Sequence, residues 1–410
     1  MRLLYGLIAA ALALTSPPAA AQQFSSSSTA PSPVRLLSPA KASERWRIGA
    51  PAVMLSSERD DNVFLLENSK KANVESPSAA EVLSRRYEAM ESPSDVITTF
   101  GAELALKGPA LLGRTLALRP SLRYELYARN VERRNLTLRL ALEQELARGG
   151  ELRLRARLRP SYFQRNYLAD AVDVDGSRTI QPAERRYEAG RYRETEIAAD
   201  YRYRIDKATK ESPFGAALRL GAGYYARAFD APFAGRDLSG PTAKLQLVAD
   251  VSRRVEVDLR YELGALSASP ADEVLILDEQ DVGTDLNRNG STGDADVRTV
   301  QRVDRSRTEH VVGLGARLEL TRAVDLAADF ERRQRTYGSR EPLDAAYNGR
   351  SAGRNLFAAE LSMKVSPRVD VALTSTVAAQ SRSRDGDFGS TGEIDDYSRQ
   401  SVGLRLGYRF

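Results

Sequence analysis

The stretch Val402-Gly403-Leu404-Arg405-Leu406-Gly407-Tyr408-Arg409-Phe410 decides the fold. Val402, Leu404, Leu406, Tyr408 and Phe410 take every second place, with glycine or arginine between them. A repeat of two is that of a β-strand, whose successive side chains point to opposite faces. One greasy face and one charged face suit a wall between lipid and water.

The same alternation recurs upstream. In 151–162 the even places hold Leu152, Leu154, Ala156, Leu158 and Tyr162, and the odd ones Glu151, Arg153, Arg155, Arg157 and Arg159. In 135–146 the even set is Leu136, Leu138, Leu140, Leu142 and Leu146, against Thr137, Arg139, Glu143 and Glu145. Both runs reach the length of a bilayer-spanning strand, about 9–11 residues. Similar segments lie near 115–128, 194–206, 214–228, 242–251, 255–265, 308–320, 324–333, 355–365, 369–380 and 398–410.

Short turns are expected at Arg148-Gly149-Gly150, Ser252-Arg253-Arg254, Thr321-Arg322-Ala323 and Ser366-Pro367-Arg368. The last three sit in one local pattern, a hydroxyl residue followed three places on by Val255, Val324 or Val369. Long polar loops are expected at 164–190, 230–241, 266–307, 335–353 and 382–397. Residues 95–107 supply a further strand, and Trp46 to about Leu55 its partner. The expected fold is therefore all-β. It is an antiparallel transmembrane β-barrel over residues 45–410, with fourteen strands, or twelve if 45–107 lies outside the wall. Short turns face the periplasm and long loops the exterior. Residues 80–90 read as a short helix in the first outer loop.

Upstream of the barrel, Met1-Arg2 precedes an apolar run from Leu3 to Leu14, and Ala19-Ala20-Ala21 offers a small-residue cleavage site. Residues 1–21 read as a signal peptide. Residues 22–44, rich in Ser, Pro and Ala, read as a flexible periplasmic linker.

A final strand ending on an aromatic residue resembles the C-terminal signal of Gram-negative outer-membrane β-barrels. That resemblance implies the cell outer membrane, contact with its lipid, and recognition by the barrel-assembly machinery through Phe410. The segments Asp60-Asp61-Asn62-Val63-Phe64 and Ser94-Asp95-Val96-Ile97-Thr98-Thr99 resemble the first hairpin of EpsL-like barrels associated with exopolysaccharide biosynthesis. This second resemblance implies a link to exopolysaccharide export.

Composition narrows the chemistry. There are no cysteines, which removes disulfides and thiolate sites, and one histidine, which removes a multi-histidine zinc site. The net charge of +5 comes from 60 basic against 55 acidic residues that alternate along strands, without the stripe or tail that would bind nucleic acid.

The odd faces carry the functional signal. Arg119, Arg123, Arg139, Arg153, Arg155, Arg157, Arg159, Glu143 and Glu145 are expected to line the lumen. With a three-residue turn, Glu145 faces Arg153 and Glu143 faces Arg155. Arg157 and Arg159 then have no acid opposite, and Arg139 faces Arg159. Elsewhere Lys364 is expected opposite Asp370, and Asp250 opposite Glu256. A local arginine surplus suits a passive channel for small or anionic solutes, an anionic saccharide among them. The 266–307 loop is a candidate to constrict it.

That loop carries the alternative reading. Asp285-Leu286-Asn287-Arg288-Asn289-Gly290-Ser291-Thr292-Gly293-Asp294-Ala295-Asp296 fits D-x-[DN]-x-[DN]-G with a carboxylate at position 12. Asp285, Asn287, Asn289, Ser291 and Asp296 are the candidate ligands of a Ca2+ ion. The barrel would then be non-conducting, a structural or surface-interaction module. An enzyme is not expected. His310 shares the lipid-facing set, but Val312 stands where a serine nucleophile would be needed. Tyr124, Tyr162, Tyr224, Tyr261 and Phe330 read as an aromatic interface girdle.

Overall fold

The computed structural model describes residues 46–49, 51–66, 68–108, 114, 116–146, 149–174, 176, 179–206, 214–278, 296–339, 347–383 and 396–410. The signal-peptide and linker assignments, 1–21 and 22–44, lie outside them.

Fourteen strands form one antiparallel sheet: β1 (Ala52–Asp60), β2 (Asp95–Glu103), β3 (Leu116–Tyr127), β4 (Asn135–Glu145), β5 (Glu151–Ala171), β6 (Arg185–Asp206), β7 (Gly215–Phe229), β8 (Leu238–Ser252), β9 (Val255–Leu266), β10 (Arg307–Glu319), β11 (Val324–Tyr337), β12 (Ser351–Lys364), β13 (Val369–Ser383) and β14 (Tyr397–Arg409). Each pairs with its neighbour in sequence. The sheet closes because β14 pairs with β1, from Ser401 opposite Asp60 to Arg409 opposite Ala52. Closure leaves no unpaired edge, the condition for β-structure in hydrocarbon. Among the described residues no helix is long and apolar enough to cross a membrane, so the crossing is made by strands.

The two faces sort by polarity. Leu259, Leu314, Phe330, Phe357, Leu373 and Leu404 point outward and are exposed. The alternate positions point inward and carry the ion pairs.

The reused hairpin has a common physical cause. The Thr321 hydroxyl accepts from the backbone of Ala323 and Val324, and the Ser366 hydroxyl from Arg368 and Val369. Ser252 does the same for Arg254. A short hydroxyl at the first place closes the turn locally. The expected partners Lys364 and Asp370, and Asp250 and Glu256, stand opposite each other.

Three expectations shift. The first wall strand is Ala52–Asp60 and not 46–55; Arg47 and Ile48 pair instead with Lys107 and Leu106. Pairing to β14 fixes that register, and it extends to Asp60. The expected 164–190 loop is mostly strand, because β5 runs to Ala171 and β6 starts at Arg185. Beyond the bilayer nothing demands an apolar outer face, so the alternation fades while the backbone ladder continues. The 266–307 segment holds a two-stranded hairpin, Ala271–Asp278 with Asp296–Val303.

The first outer loop contains two short helices, α1 (Asn68–Glu75) and α2 (Ala79–Leu83); the second overlaps only the start of the expected 80–90 helix. Ser78 and Glu81 form a capping box at the start of α2.

Candidate functional site: the charged lumen and its outer mouth

The inward face of β3 to β6 is a lattice of guanidinium and carboxylate groups. Arg119 donates to Glu143 at 2.8 Å and approaches Glu103 at 3.4 Å. Arg153 meets the same Glu143 at 3.1 Å, and Arg123 meets Glu125 at 2.8 Å. Arg155 holds Asp200 at 2.7 Å, and Arg157 reaches Glu194 at 2.7 Å and Glu196 at 3.1 Å.

The register differs from the expected one by two residues. Glu145 faces Glu151, Glu143 faces Arg153, and Arg139 faces Arg157. The connection occupies 146–150 and is longer than a three-residue turn. The acids opposite Arg157 and Arg159 come from the other neighbour, β6, where Glu196 and Glu194 are their register partners. Arg157 is therefore paired, which corrects its place in the expected surplus. Arg139 and Arg159 form no ion pair among the described residues. Arg139 is exposed to the lumen, while Arg159 is buried.

On the opposite wall, Arg260 of β9 reaches across β10 to Asp329 at 3.6 Å and Glu331 at 3.3 Å on β11. Gly313 on β10 makes the crossing feasible, since a Cβ there would lie 2.8 Å from the Arg260 guanidinium. Glu331 also takes Arg354 at 2.7 Å, and Glu309 takes Arg335 at 3.2 Å.

The start of the first outer loop folds inward against the wall. Val63, Phe64, Leu65 and Leu66 are each no more than 3% exposed. Phe64 packs with Tyr127 and Phe163 on β3 and β5, whereas Leu65 packs with Leu356, Ala378 and Tyr397 on β12 to β14. Two adjacent side chains thus reach the wall on either side of the β1–β2 hairpin. The backbone allows it because Leu65 has φ of 59°, a left-handed conformation that costs a non-glycine residue on the order of 1 kcal/mol. Asn62 pins the segment by donating to the carbonyls of Leu66 and Ser398, both at 2.9 Å. The 63–66 segment is thus packed against the wall, and residues 279–295 of the 266–307 loop expected to constrict the lumen lie outside the described residues.

Behind Phe64 lies a stack of arginines and tyrosines that the alternation did not reveal. Arg133 sits in the loop between β3 and β4, over the rings of Phe64 at 4.8 Å and Tyr162 at 5.0 Å. Arg159 covers Tyr162 at 4.8 Å, and Arg227 covers Tyr192 at 4.5 Å. Tyr162 was expected in the outward girdle. A register shift between Arg159 and Tyr162 turns it inward, where it is buried against Tyr192. Tyr224, Tyr261 and Phe330 do face outward and are exposed. His310 also lies on the outward set, with its Nδ1 2.8 Å from the Tyr261 hydroxyl.

Outside the wall, Glu273 on the 271–278 strand serves two cations: Arg305, at 2.6 Å from one nitrogen, and Arg236 at 3.2 Å. Burial pushes the Glu273 carboxyl up, but the two guanidiniums outweigh it and hold it below its ordinary range. Arg236 shares that carboxylate, and burial with the nearby Arg305 pushes it down to about 9.

The expected calcium ligands Asp285, Asn287, Asn289 and Ser291 lie outside the described residues. Asp296 is described in its backbone alone, as the register partner of Asp278 at the base of the hairpin. Among the described residues no cluster of three metal-ligating side chains occurs. Asp170, near the outer end of β5, is paired with Arg298 at 3.1 Å.

No family model matches the chain, and no curated protein does. Solved structures share the barrel at low identity. The outer membrane channel DcaP of Acinetobacter baumannii is 10% identical with a TM-score of 0.42, covering 91% of this chain and 100% of that one. OmpT of Vibrio cholerae is 8% identical with a TM-score of 0.37, over 90% and 100%. An anion-selective porin from Comamonas acidovorans is 10% identical with a TM-score of 0.32, over 89% and 100%. At these values the closed wall with its apolar exterior carries the assignment by itself. The chain is an outer-membrane β-barrel.

Proposed function

We propose that this barrel is a passive, non-enzymatic channel that favours small anionic solutes. The observation that carries the reading is the pair Arg139 and Arg159, inward cations that form no ion pair among the described residues, within a wall whose other arginines are largely neutralised. A guanidinium with no direct ion pair attracts anions and repels cations, and Arg139 is exposed to the lumen. A saccharide bearing a carboxylate or phosphate is the solute class that fits. Exopolysaccharide export is supported by the first-hairpin resemblance alone. Planar-bilayer recording under a salt gradient tests the reading: a reversal potential of anionic sign supports it, and a cationic sign rejects it.

The inward packing of Phe64 and Leu65 favours a second reading. A closed barrel would act at the surface, through a Ca2+ ion held by Asp285, Asn287, Asn289, Ser291 and Asp296. Limited proteolysis of the 279–295 segment with calcium or chelator separates the two. Equal cleavage in both conditions removes the calcium reading.

A further inference from the structure

We infer that Arg133, Arg159 and Tyr162 form a binding site for an oxyanion, a carboxylate or phosphate group, beneath the Phe64 segment. Arg133 is 3% exposed and Arg159 8% exposed. They lie over the same Tyr162 ring, at 5.0 and 4.8 Å. Neither forms an ion pair among the described residues, and the Nε of each is buried without a hydrogen-bond partner. The Arg133 terminal nitrogens donate to the Gln164 carbonyl and the Tyr162 hydroxyl, both neutral.

The carboxylates within reach are already held. Glu125 is taken by Arg123 at 2.8 Å and by the Asn135 amide at 2.9 Å. Glu194 is shared by Arg157 at 2.7 Å, Arg227 at 3.5 Å and the Tyr225 hydroxyl at 3.0 Å. Glu194 stands opposite Arg159 in register, but neither buried guanidinium forms a direct ion pair among the described residues. Burying an unpaired charge is costly, and a bound anion relieves that cost. Guanidinium offers a planar donor fork that matches the oxygens of carboxylate and phosphate. Phe64 stacks on Arg133, so movement of the 63–66 segment would uncover the Arg133 guanidinium. Leu65, in its left-handed conformation, is the strained point of that segment.

This inference rests on the anion-channel reading for the sign of its ligand, and it adds a saturable site, which a merely selective pore lacks. The refolded full-length barrel in detergent is titrated calorimetrically with sodium phosphate and, separately, with sodium glucuronate, at constant ionic strength in sodium chloride. Saturable binding of either is expected. Binding of phosphate alone assigns a phosphoryl ligand; binding of glucuronate alone assigns a carboxylated saccharide. Arg159→Gln should weaken binding about tenfold or more, as for loss of a charge-assisted donor. Arg159→Lys, which keeps the charge, should recover part of it, and Phe64→Ala should speed binding. Heat-modifiable gel mobility verifies that each variant is folded. Absence of saturable binding of both anions, or equal affinity in wild type and a folded Arg159→Gln, overturns the site. Anion preference in bilayers that survives such a result leaves the channel reading standing; a cation preference removes that reading instead.

Discussion

Arg399 on the last strand meets Asp60 on the first at 2.7 Å, across the seam that closes the barrel. Asp60 is almost fully buried and also accepts the Asn62 backbone N–H at 2.9 Å, so one carboxylate ties the seam to the start of the first outer loop. Asp60→Asn leaves Arg399 with only the longer contact to Glu58 at 3.6 Å. Removing one partner of a buried pair costs about 3 kcal/mol. The temperature at which the folded gel band is lost should fall by several degrees. An unchanged temperature would show that the pair does not hold the seam.

Phe64 and Leu65 anchor the start of the first outer loop to the wall on either side of the β1–β2 hairpin. The double change Phe64→Gly with Leu65→Gly removes both apolar anchors and relieves the left-handed backbone, which glycine adopts freely. Single-channel conductance in planar bilayers should rise several-fold. Equal conductance in wild type and variant would place the narrowest point elsewhere.

Much of the wall was legible because lipid imposes a strict repeat. Leu152 to Leu158 and Val402 to Tyr408 could be read from alternation alone, and the hydroxyl turns at Ser252 and Ser366 place Asp250 opposite Glu256 and Lys364 opposite Asp370. The site was less legible because it lies where that constraint ends. Arg133 is in a loop, and Tyr162 follows a register shift that reverses its face. Val63 to Leu66 is a continuous apolar run, so a segment folded inward against the wall carries no signature different from the top of a strand. The register at Glu145 depended on the length of one connection, and a slip of two residues keeps every side chain on its own face while changing its partner.

Gly313 lets Arg260 cross β10. Gly313→Val would place side-chain atoms against the guanidinium, already 2.8 Å from an added Cβ, and separate Arg260 from Glu331. Overpacking of this kind costs about 1–3 kcal/mol. Thermal loss of the folded gel band should come earlier in this variant, and restoration by a second change, Arg260→Ala, should be partial. A Gly313→Val barrel as stable as wild type would mean that Arg260 has another route.

Acid should release the outer hairpin. The Glu273 carboxyl is held below its ordinary value in the folded state, so its contribution is fully present above that value and is lost as pH falls through the lowered one. Protease cleavage within the 271–303 region should therefore rise below about pH 4, the reference range of a glutamate. Glu273→Gln should be cleaved readily at neutral pH and show little further change in acid. Cleavage that is independent of pH in the wild-type protein would contradict this role for Glu273.

The central claim is that the lumen prefers anions because Arg139 and Arg159 are inward cations that form no direct ion pair among the described residues. Its most direct measurement is the reversal potential of the reconstituted barrel under a potassium chloride gradient, in wild type and in Arg139→Gln/Arg159→Gln. The account predicts an anionic sign in wild type that moves toward zero in the double variant. A cationic sign in wild type, or the same potential in both proteins, would contradict it.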